Sequence, residues 1–316
     1  MERVEALEVI SPGPLSTIQD LGRYGLGRYG VPPSGALDPF SLRVANLLVG
    51  NREEEACIET TLMGLKVRAL TDLVIAITGG DLQPYLNDAP SKMWRSLIIR
   101  KGDLLHFKAI KAGCRSYLAM RGGISLDSVL GSKSTNLISG FGGYLGRPLR
   151  KGDVLCSAPP FAHLNSKIKA LDPNRIPVYA KEWVMRIIGG PQDADFTPES
   201  RAVLVESLFE VTPTSDRTGI RLSGPPIHKR EGIDESIISE GVVPGSIQIP
   251  GDAQPIIILV ETVTGGYRKI ATVIGADIPL LGQIKPGDRV RFRAVSMEEA
   301  LFALRETEQI LKSLLL

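Results

Sequence analysis

Short apolar runs separated by turn residues are the dominant pattern along the chain. Runs such as DLVIAITGG, SLIIRKGDLLHFKA, SIQIPGD, PIIILVETVTGG and DRVRFRAV are bounded by glycine, proline or aspartate. Short runs rich in β-branched residues between turn signals are typical of β-strands. The 33 glycines and 22 prolines are spread through the whole chain, so the pattern holds from end to end. The chain is therefore predicted to be mainly β.

Three stretches have helical patterns instead. Residues 38–49 offer Asp38 as an N-cap, Pro39 at the first helical position and Gly50 after the last turn. A weaker pattern covers FTPESRAVLVESLF. The stretch SMEEALFALRETEQILKSLLL opens with Ser296 and Glu299, the spacing of a capping box. We expect a few short helices around a β core.

Five landmarks recur in the same order, at a nearly constant offset, in the two halves of the chain. They are Pro12-Gly13-Pro14 with Gly189-Gly190-Pro191, Ser34-Gly35 with Thr218-Gly219, Glu59–Gly64 with Glu240–Gly245, Thr78-Gly79-Gly80 with Thr264-Gly265-Gly266, and KGDLLHFKA with PGDRVRFRA. Such recurrence predicts duplication. We expect one β-domain over residues 1–165 and a second, with the C-terminal helix, over residues 166–316. The polar stretch from His163 to Pro177 is expected to join them.

Composition narrows the class of protein. Lys+Arg 37 against Asp+Glu 35 gives a net charge of +2 without a long basic run, so nucleic acid is not an expected partner. The apolar runs are too short to span a membrane, and MERVEALEV lacks the layout of a signal peptide, which predicts a cytoplasmic protein. Cys57, Cys114 and Cys156 form no C-x-x-C pair, so we expect no disulfide framework or zinc site.

The stretch DLGRYGLGRYGVPPSGALD contains Gly25, Gly27 and Gly30 at the G-x-G-x-x-G spacing of dinucleotide-binding proteins. That motif binds pyrophosphate only where it closes a strand and opens a helix. Here the polar STIQD precedes it, and Pro32, Pro33 and Ser34-Gly35 stand where a helix would begin. We interpret the stretch as a glycine-rich loop.

Familiar catalytic motifs are missing from the sequence. The three histidines, His106, His163 and His228, are scattered, and no G-x-S-x-G motif supports a serine nucleophile. VLGSKST lacks the Walker spacing, and there is no metal-binding H-E-x-x-H or acidic calcium loop. The sequence therefore identifies no catalytic residue, no general base and no metal bound by this chain.

Polar residues in the glycine-rich loops of the second half are the primary candidates for a substrate-binding site. They are Arg217, Gln248, Gln254, Thr264, Gly265, Gly266, Tyr267 and Lys285. Guanidinium, amide, phenol and ammonium groups suit a molecule that bears an amide or a carboxylate. Gly265 and Gly266 allow backbone N–H groups to approach it. Other roles stay open: Arg217 and Lys285 in structural ion pairs or solvated turns, and Gln248 on a water-facing strand.

The first half contributes secondary candidates around its opening glycines. These are Gln19, Asp20, Arg23, Ser34 and Asn46. Asn46 would lie on a helix among apolar residues, where hydrogen bonding to a loop is as good an explanation as ligand contact. Asp38 is left out because helix capping already explains it.

Several long motifs, found in order, resemble one known family. They are SPGPLSTIQDLGRYGLGRYGVPPSGALDPFSLRVANLLVGN, LAMRGGI, LGSKST, GFGGYLGR, SDRTGIRLSGP, SEGVVPGSIQIPGDAQPIIIL, TGGYRKIATVI and LGQIKPGDRVRF. The resemblance is to the KipA family, also called the C subunit of bacterial 5-oxoprolinase, with the related allophanate hydrolase subunit 2 and biotin-dependent carboxyltransferase domains. It runs from about Val9 to Ala294. One departure is Arg268, where we expect a proline after the tyrosine.

The resemblance implies two tandem cyclophilin-like β-barrel domains and a complex with a KipI-like partner subunit. With a third, LamB/YcsF-like subunit, the complex would be an ATP-dependent hydrolase that opens 5-oxo-L-proline to L-glutamate, and this chain would be inactive alone. ATP suits the reaction because the lactam amide is unreactive until its oxygen is phosphorylated. No ATP site is identifiable in this chain.

Two alternatives stay open within the same family. One is a KipA-like regulatory protein that antagonises a kinase inhibitor. The other is a component of a biotin-dependent carboxyltransferase that acts on urea-type amides. No Met-Lys flanked by small residues is present, so biotin is not expected to be attached to this chain.

On the sequence alone, Arg217→Ala is expected to weaken activity or ligand binding in the assembled complex and to leave the fold intact. Steady-state kinetics of the reconstituted complex measure the effect, and unchanged kinetics would remove Arg217 from the site.

Overall fold

The structure is a computed structural model that describes residues 3–158 and 168–314. The chain divides into two units. The first unit contains the chain up to Arg23, Ser34–Tyr179 and the chain from Ile310 onward, and the second contains Tyr24–Pro33 and Ala180–Gln309. The predicted boundary between residues 165 and 166 lies outside the described residues, as does His163.

The first unit is built from short strands and one helix. In chain order they are β1 (Val4–Pro12), β2 (Leu15–Gln19), α1 (Pro39–Val49), β3 (Cys57–Thr61), β4 (Leu65–Ala69), β5 (Leu73–Asp81), β6 (Pro84–Leu86), β7 (Ala89–Pro90), β8 (Ser96–Ile99), β9 (Leu104–Phe107), β10 (Ala112–Met120) and β11 (Val154–Ser157). The strands form a six-stranded sheet in the order β11-β1-β4-β9-β6-β7 and a five-stranded sheet in the order β2-β3-β10-β5-β8.

Strand β5 shows why the first unit forms two apolar clusters. Leu73, Ile75 and Ile77 belong to the cluster that the two sheets share. Val74 and Ala76, on the opposite face of the strand, pack in the cluster that contains α1. Successive side chains of a strand point to opposite faces, so an unbroken apolar run suits a strand covered on both sides.

Helix α1 begins where the sequence predicts. Asp38 accepts hydrogen bonds from the backbone N–H (2.9 Å) and the hydroxyl (2.6 Å) of Ser41, and Gly50 ends the helix with φ +82°. The Tyr117 hydroxyl accepts from the N–H of Asp38 (2.8 Å) and donates to the buried Glu59 (2.7 Å). Burial, followed by the charge of Glu59, raises the pKa of Tyr117, which keeps this hydroxyl protonated as a donor.

The second unit contains the remaining elements. In chain order they are β12 (Glu182–Gly189), α2 (Pro198–Glu206), β13 (Leu208–Val211), β14 (Gly219–Ser223), β15 (Glu240–Gly241), β16 (Ser246–Ile249), β17 (Ile256–Ile258), β18 (Thr264–Gly265), β19 (Arg268–Val273), α3 (Ile278–Leu281), β20 (Arg289–Ala294) and α4 (Met297–Ser313). The last turn of α4 belongs to the first unit.

Seven strands of the second unit form a closed barrel in the order β12-β19-β16-β17-β14-β13-β20. Parallel pairing of β12 with β20 closes it, from Glu182 opposite Arg289 to Ile187 opposite Ala294. In β20 the buried Val290 and Phe292 alternate with exposed arginines, as expected for a strand with one face in the core. A separate pair, β15 with β18, lies outside the barrel sheet.

Within residues 3–158 and 168–314 one turn type occurs three times, at Arg100–Asp103, Arg150–Asp153 and Lys285–Asp288. In each turn the aspartate carboxylate accepts the N–H of the residue three positions earlier, at 2.7, 2.7 and 3.2 Å. The glycine before each aspartate has φ of +94°, +88° and +83°, a conformation that favours glycine. The same aspartate-stabilised turn therefore leads into β9, β11 and β20.

The predicted fold class, mainly β with tandem β-domains and a few short helices, is confirmed. The predicted helices appear as α1, α2 and α4, and the capping box between Ser296 and Glu299 is formed in both directions at 2.8 and 3.1 Å. The fourth helix, α3, was not predicted, because its four residues are too few to show a periodic pattern. None of the helices in the described ranges is long and apolar enough to cross a membrane.

The two units differ in their strand order, since the second is a closed barrel and the first consists of two sheets. The landmark turns before β9 and β20 have the same form, but the same turn also precedes β11. Duplication of one ancestral domain therefore stays a prediction.

Asp38→Ala is expected to lower the free energy of unfolding by about 1–2 kcal/mol, because α1 loses its N-cap. Urea unfolding followed by tryptophan fluorescence measures this, since the Trp94 ring lies 6.4 Å from that of Phe40 in α1. Asp38→Asn keeps a capping oxygen and is the matched control, and Asp127→Ala, at a 91% exposed side chain, controls for loss of surface charge. An unfolding midpoint equal to that of the unmodified chain would contradict the capping role.

Candidate functional site

A groove of about 390 Å³ on the second unit collects most of the primary candidates. Its polar side chains come from the loop before β14, from β14 itself, from β16 and from the segment around β18. The lining residues are Asp216, Thr218, Gly219, Arg221, Gln248, Ile256, Ile258, Thr262, Thr264, Gly265, Gly266 and Tyr267. Five of the eight primary candidates are therefore brought together here: Gln248, Thr264, Gly265, Gly266 and Tyr267.

Gln248 and the Thr264–Tyr267 segment are fitted to one another. The Gln248 side chain is buried in the barrel wall, and its Nε2 donates to the backbone oxygen of Tyr267 at 3.2 Å. A Cβ atom at Gly265 would overlap the Gln248 amide, so a larger residue there would require this amide to move. Gln248 therefore does not face open water, which was one of the roles left open by the sequence.

A buried lysine anchors the strand pair behind this segment. In β15, Glu240 pairs with Gly265 and Gly241 with Thr264. The side chain of Glu240 bonds the ammonium group of Lys269, which is only 5% exposed, and accepts from Gln192 at 2.6 Å. These bonds, that of Lys269 first, hold the pKa of Glu240 below its ordinary value, so the anchor persists at neutral pH and weakens only as the pH falls through that lowered pKa.

Arg268, where the resemblance predicts a proline, has a structural role in this chain. Its Nε lies 2.7 Å from an oxygen of Asp195, and its guanidinium also donates to the backbone oxygens of Asp234 and Ser236. The N–H of Ile237 in turn donates to the oxygen of Gly266 at 2.8 Å. Arg268 thus ties the 234–237 loop to the back of the groove.

The opposite wall of the groove is set by Asp216. Its carboxylate accepts from the N–H groups of Thr218 (2.7 Å) and Gly219 (3.1 Å), which is a turn stabilised by an aspartate side chain. Strand β14 follows at once, and its alternation places Arg221 outward between the inward Ile220 and Leu222. A carboxylate and a guanidinium therefore lie on this side of the groove.

Arg217 lies behind the groove and is not one of the residues that line it. Its Nε is 3.1 Å from Oε1 of Glu261, and the two side chains are 6% and 1% exposed. Because Glu261 precedes Thr262, this buried ion pair joins the two loops that form the groove. The sequence left open whether Arg217 binds a ligand or forms a structural ion pair. This geometry supports the structural ion pair.

The other two primary candidates also lie outside the groove lining. The Gln254 amide clamps the backbone of Gly224, accepting from its N–H at 2.8 Å and donating to its oxygen at 3.2 Å. Lys285 binds Asp288 at 2.7 Å within the turn before β20, and Asp288 also accepts from the indole N–H of Trp183 at 3.0 Å. Both side chains hold loops in place.

In the first unit, Asp20 organises the GSKST segment. Its carboxylate accepts from the hydroxyl groups of Ser132 and Ser134 and from the N–H of Lys133. The ammonium group of Lys133 is 3.0 Å from Glu55. A protein carboxylate thus occupies the donors that a bound phosphate would need, so this loop does not fit ATP.

The remaining secondary candidates belong to the same buried network or to the helix beside it. Gln19 donates to Thr135, Arg23 donates to the oxygens of Val129 and Ser134 and stacks 4.8 Å from the ring centre of Phe141, and Ser34 accepts from Asn136. Asn46 donates to the oxygen of Glu55 at 2.7 Å and accepts from Asn51 at 3.0 Å. All are buried. Ligand contact by these residues stays a prediction.

The groove offers hydrogen-bond donors and acceptors around a narrow apolar floor of Ile256 and Ile258. Such a surface suits a small polar molecule with an amide and a charged group. In the described ranges no group of three or more His, Cys, Asp or Glu side chains could hold a metal ion. His106 lies in β9 of the first unit, where burial and then Lys66 lower its pKa, and His228 is exposed in a loop of the second unit.

Sequence reasoning missed Asp216, Thr218, Arg221 and Thr262. Asp216 and Arg221 stand in the quoted SDRTGIRL motif, in which only Arg217 was predicted to bind a ligand. The alternation of GIRLS could have identified Arg221, since buried Ile220 and Leu222 leave Arg221 on the outer face. The turn at Asp216 is local and could have been recognised from Asp-x-Thr-Gly, but that this turn lines a groove could not be seen without coordinates.

Most of the chain is similar to proteins of one family. Residues 29–294 match the family model of the carboxyltransferase domain, subdomain A and B. The chain is 36% identical to the C subunit of 5-oxoprolinase from Escherichia coli, over 98% of this chain and 97% of that protein. It is 38% identical to urea amidolyase of Lachancea kluyveri, over 93% of this chain and 17% of that protein.

The fold of this chain is similar to part of a solved structure. The crystal structure of the urea amidolyase of Kluyveromyces lactis aligns with a TM-score of 0.93 at 32% identity, over 99% of this chain and 20% of that one. The chain thus spans about a fifth or less of these urea amidolyases and nearly the whole of the bacterial protein.

Arg217→Ala is now expected to destabilise the second unit by about 3 kcal/mol, because the carboxylate of Glu261 would lose its buried partner. The sequence-based expectation of an intact fold stays a prediction, and this measurement tests it. The midpoint of urea unfolding measures the loss. Glu261→Ala and the double variant complete the cycle, and the double variant should lose less than the two single losses together. Additive losses would show that the pair is not coupled.

Proposed function

The chain belongs to the carboxyltransferase domain family, subdomain A and B, and on this premise we propose that it is one component of an ATP-dependent 5-oxoprolinase-type amidohydrolase. In this proposal it acts with KipI-like and LamB/YcsF-like subunits to open 5-oxo-L-proline to L-glutamate. The observation that carries the proposal is the alignment from end to end with a protein named as the C subunit of 5-oxoprolinase. The much longer urea amidolyases contain a similar segment as a small part of one chain.

The groove supports a small substrate of this kind. Its volume falls in the range of small-molecule sites, and 5-oxoproline carries a lactam amide beside a carboxylate. In the proposed role, the outward guanidinium of Arg221 binds the carboxylate, as arginine does in many carboxylate sites. The Gln248 amide and the backbone of Gly265 and Gly266 lie where a lactam could exchange hydrogen bonds with them.

The ATP-using step is assigned to the partner subunits. ATP, when used by the complex, would convert the lactam oxygen into a leaving group. In this chain the hydrogen-bond donors of the GSKST segment are already bound to the carboxylate of Asp20. We therefore infer that this chain does not hold the nucleotide. Its groove residues would bind and orient the substrate. No biotin is attached to this chain in the proposal.

A carboxyltransferase acting on a urea-type amide is the second candidate. The match to the carboxyltransferase family model and the close structural likeness to a urea amidolyase favour it. Both candidate reactions involve a small amide and a carboxylate or carboxyl donor. The same groove could therefore serve either reaction, and only the partner subunits would differ.

Reconstitution separates the two candidates. We expect ATP-dependent release of glutamate from 5-oxo-L-proline only when this chain is combined with both its KipI-like and its LamB/YcsF-like partner, because each supplies part of the site. Glutamate is measured for this chain alone, for the pair with the KipI-like partner and for the full mixture. An inactive complex whose assembly is verified by sedimentation would exclude the oxoprolinase proposal and favour the carboxyltransferase.

Gly265→Ala is expected to reduce kcat/KM of the active complex at least tenfold, because the added methyl group overlaps the Gln248 amide and forces this groove-lining side chain to move. Steady-state kinetics measure the effect, with the thermal midpoint as a check on folding. The matched control is Gly241→Ala on the paired strand β15, where an added Cβ meets no atom within 4 Å. Equal kinetics for the two variants would place the reaction elsewhere.

A further inference from the structure

Helix α4 exposes an apolar face that the fold does not use. Leu301 is 46% exposed and Phe302 is 63% exposed, and Met297 and Leu304 nearby are 57% and 40% exposed. The buried side of the helix is a different one, formed by Ala300 and Ala303 packed with Ile274. Large exposed apolar side chains that cluster on one surface are typical of interaction sites.

Two opposite charges frame this face. Glu298 and Arg305 are seven residues apart, which is close to two helical turns, so they lie on one side of the helix about 10 Å apart along its axis. Leu301 and Phe302 lie between them, on either side of the line that joins them. Neither charged residue forms an ion pair within the part of the chain that the structure describes.

The arrangement is symmetric about the midpoint between Leu301 and Phe302. Glu298 stands three residues before Leu301, and Arg305 stands three residues after Phe302. If a second α4 packs antiparallel across a two-fold axis at this midpoint, Glu298 meets Arg305 of the other copy and Leu301 meets Phe302. A two-fold interface requires this kind of self-complementary patch.

We propose that this face binds a second copy of the same chain, with the two α4 helices antiparallel and the contact centred on Leu301 and Phe302. The apolar side chains supply the buried area, and two reciprocal ion pairs between Glu298 and Arg305 set the direction. Binding to a protein of different sequence does not require the patch to be symmetric. Binding to a second copy across a two-fold axis does, so the symmetry favours a second copy. All the residues involved belong to the second unit.

The surface beside the helix leaves room for the contact. A cleft of about 650 Å³ runs along this half of α4 and is lined by Leu301, Phe302 and Arg305, together with Arg186 and Arg293 of the barrel. One helix face and the rim of a cleft make a small interface, and interfaces below the standard size are weak. The dimer is therefore expected to dissociate with a Kd of roughly 1–100 μM.

Sedimentation equilibrium of the full chain, from low to several hundred micromolar, tests the proposal. Phe302→Glu is expected to raise Kd at least tenfold because it places a charge in the apolar centre. Glu298→Arg and Arg305→Glu are each expected to raise Kd about tenfold, since each brings like charges together. The double variant Glu298→Arg/Arg305→Glu should return Kd to within about threefold of the original value, because both ion pairs form again in reversed sense.

The matched control is Glu231→Arg, which makes the same charge change at an exposed loop position of the second unit and should leave Kd unchanged. A chain that stays monomeric over the whole concentration range would overturn the proposal. A dimer insensitive to the single variants, or one that the double variant fails to restore, would overturn it as well. If the chain alone is monomeric and the same variants weaken binding to a different protein of the complex, the face belongs to that protein instead.

Discussion

Closure of the second-unit barrel by the parallel pairing of β12 with β20 is the constraint on which the candidate site depends. A closed barrel has no free edge, and its interior is filled by side chains such as Met185, Phe209 and Phe292. Polar side chains on its strands and connecting loops must therefore face outward or find buried partners. The groove forms on the outside of this closed wall, where β14, β16 and β17 meet the loops that connect them.

Buried charged groups then hold those loops against the barrel. Arg217 with Glu261, Lys269 with Glu240, and Arg268 with Asp195 each join segments far apart in the sequence. A charge that is removed from water needs a partner close by, so each pair strongly restricts the loop that carries it. Three buried cations of the second unit are thus engaged in ion pairs, whereas Arg221 is exposed and lines the groove.

Sequence patterns predicted the elements that depend on local rules. The cap at Asp38, the capping box at Ser296 and the alternation of β20 involve residues within a few positions of one another, and all three appear in the structure. The candidate site was predicted only in part. The TGGY segment was found because glycine pairs stand out in a sequence, whereas Arg217 looked free because its partner Glu261 is 44 positions away. Chemical groups can be read from a sequence, but their distant partners cannot.

The division of the chain into units has a consequence for cutting the protein into pieces. Residues 24–33 belong to the second unit although they lie near the start of the chain, and the last turn of α4 belongs to the first unit although it lies near the end. Division at Tyr179 would therefore give two fragments that each lack a segment of their own unit and carry a segment of the other. Separate expression of the two halves is a poor route to folded domains, whereas co-expression of both fragments would keep every segment of each unit available.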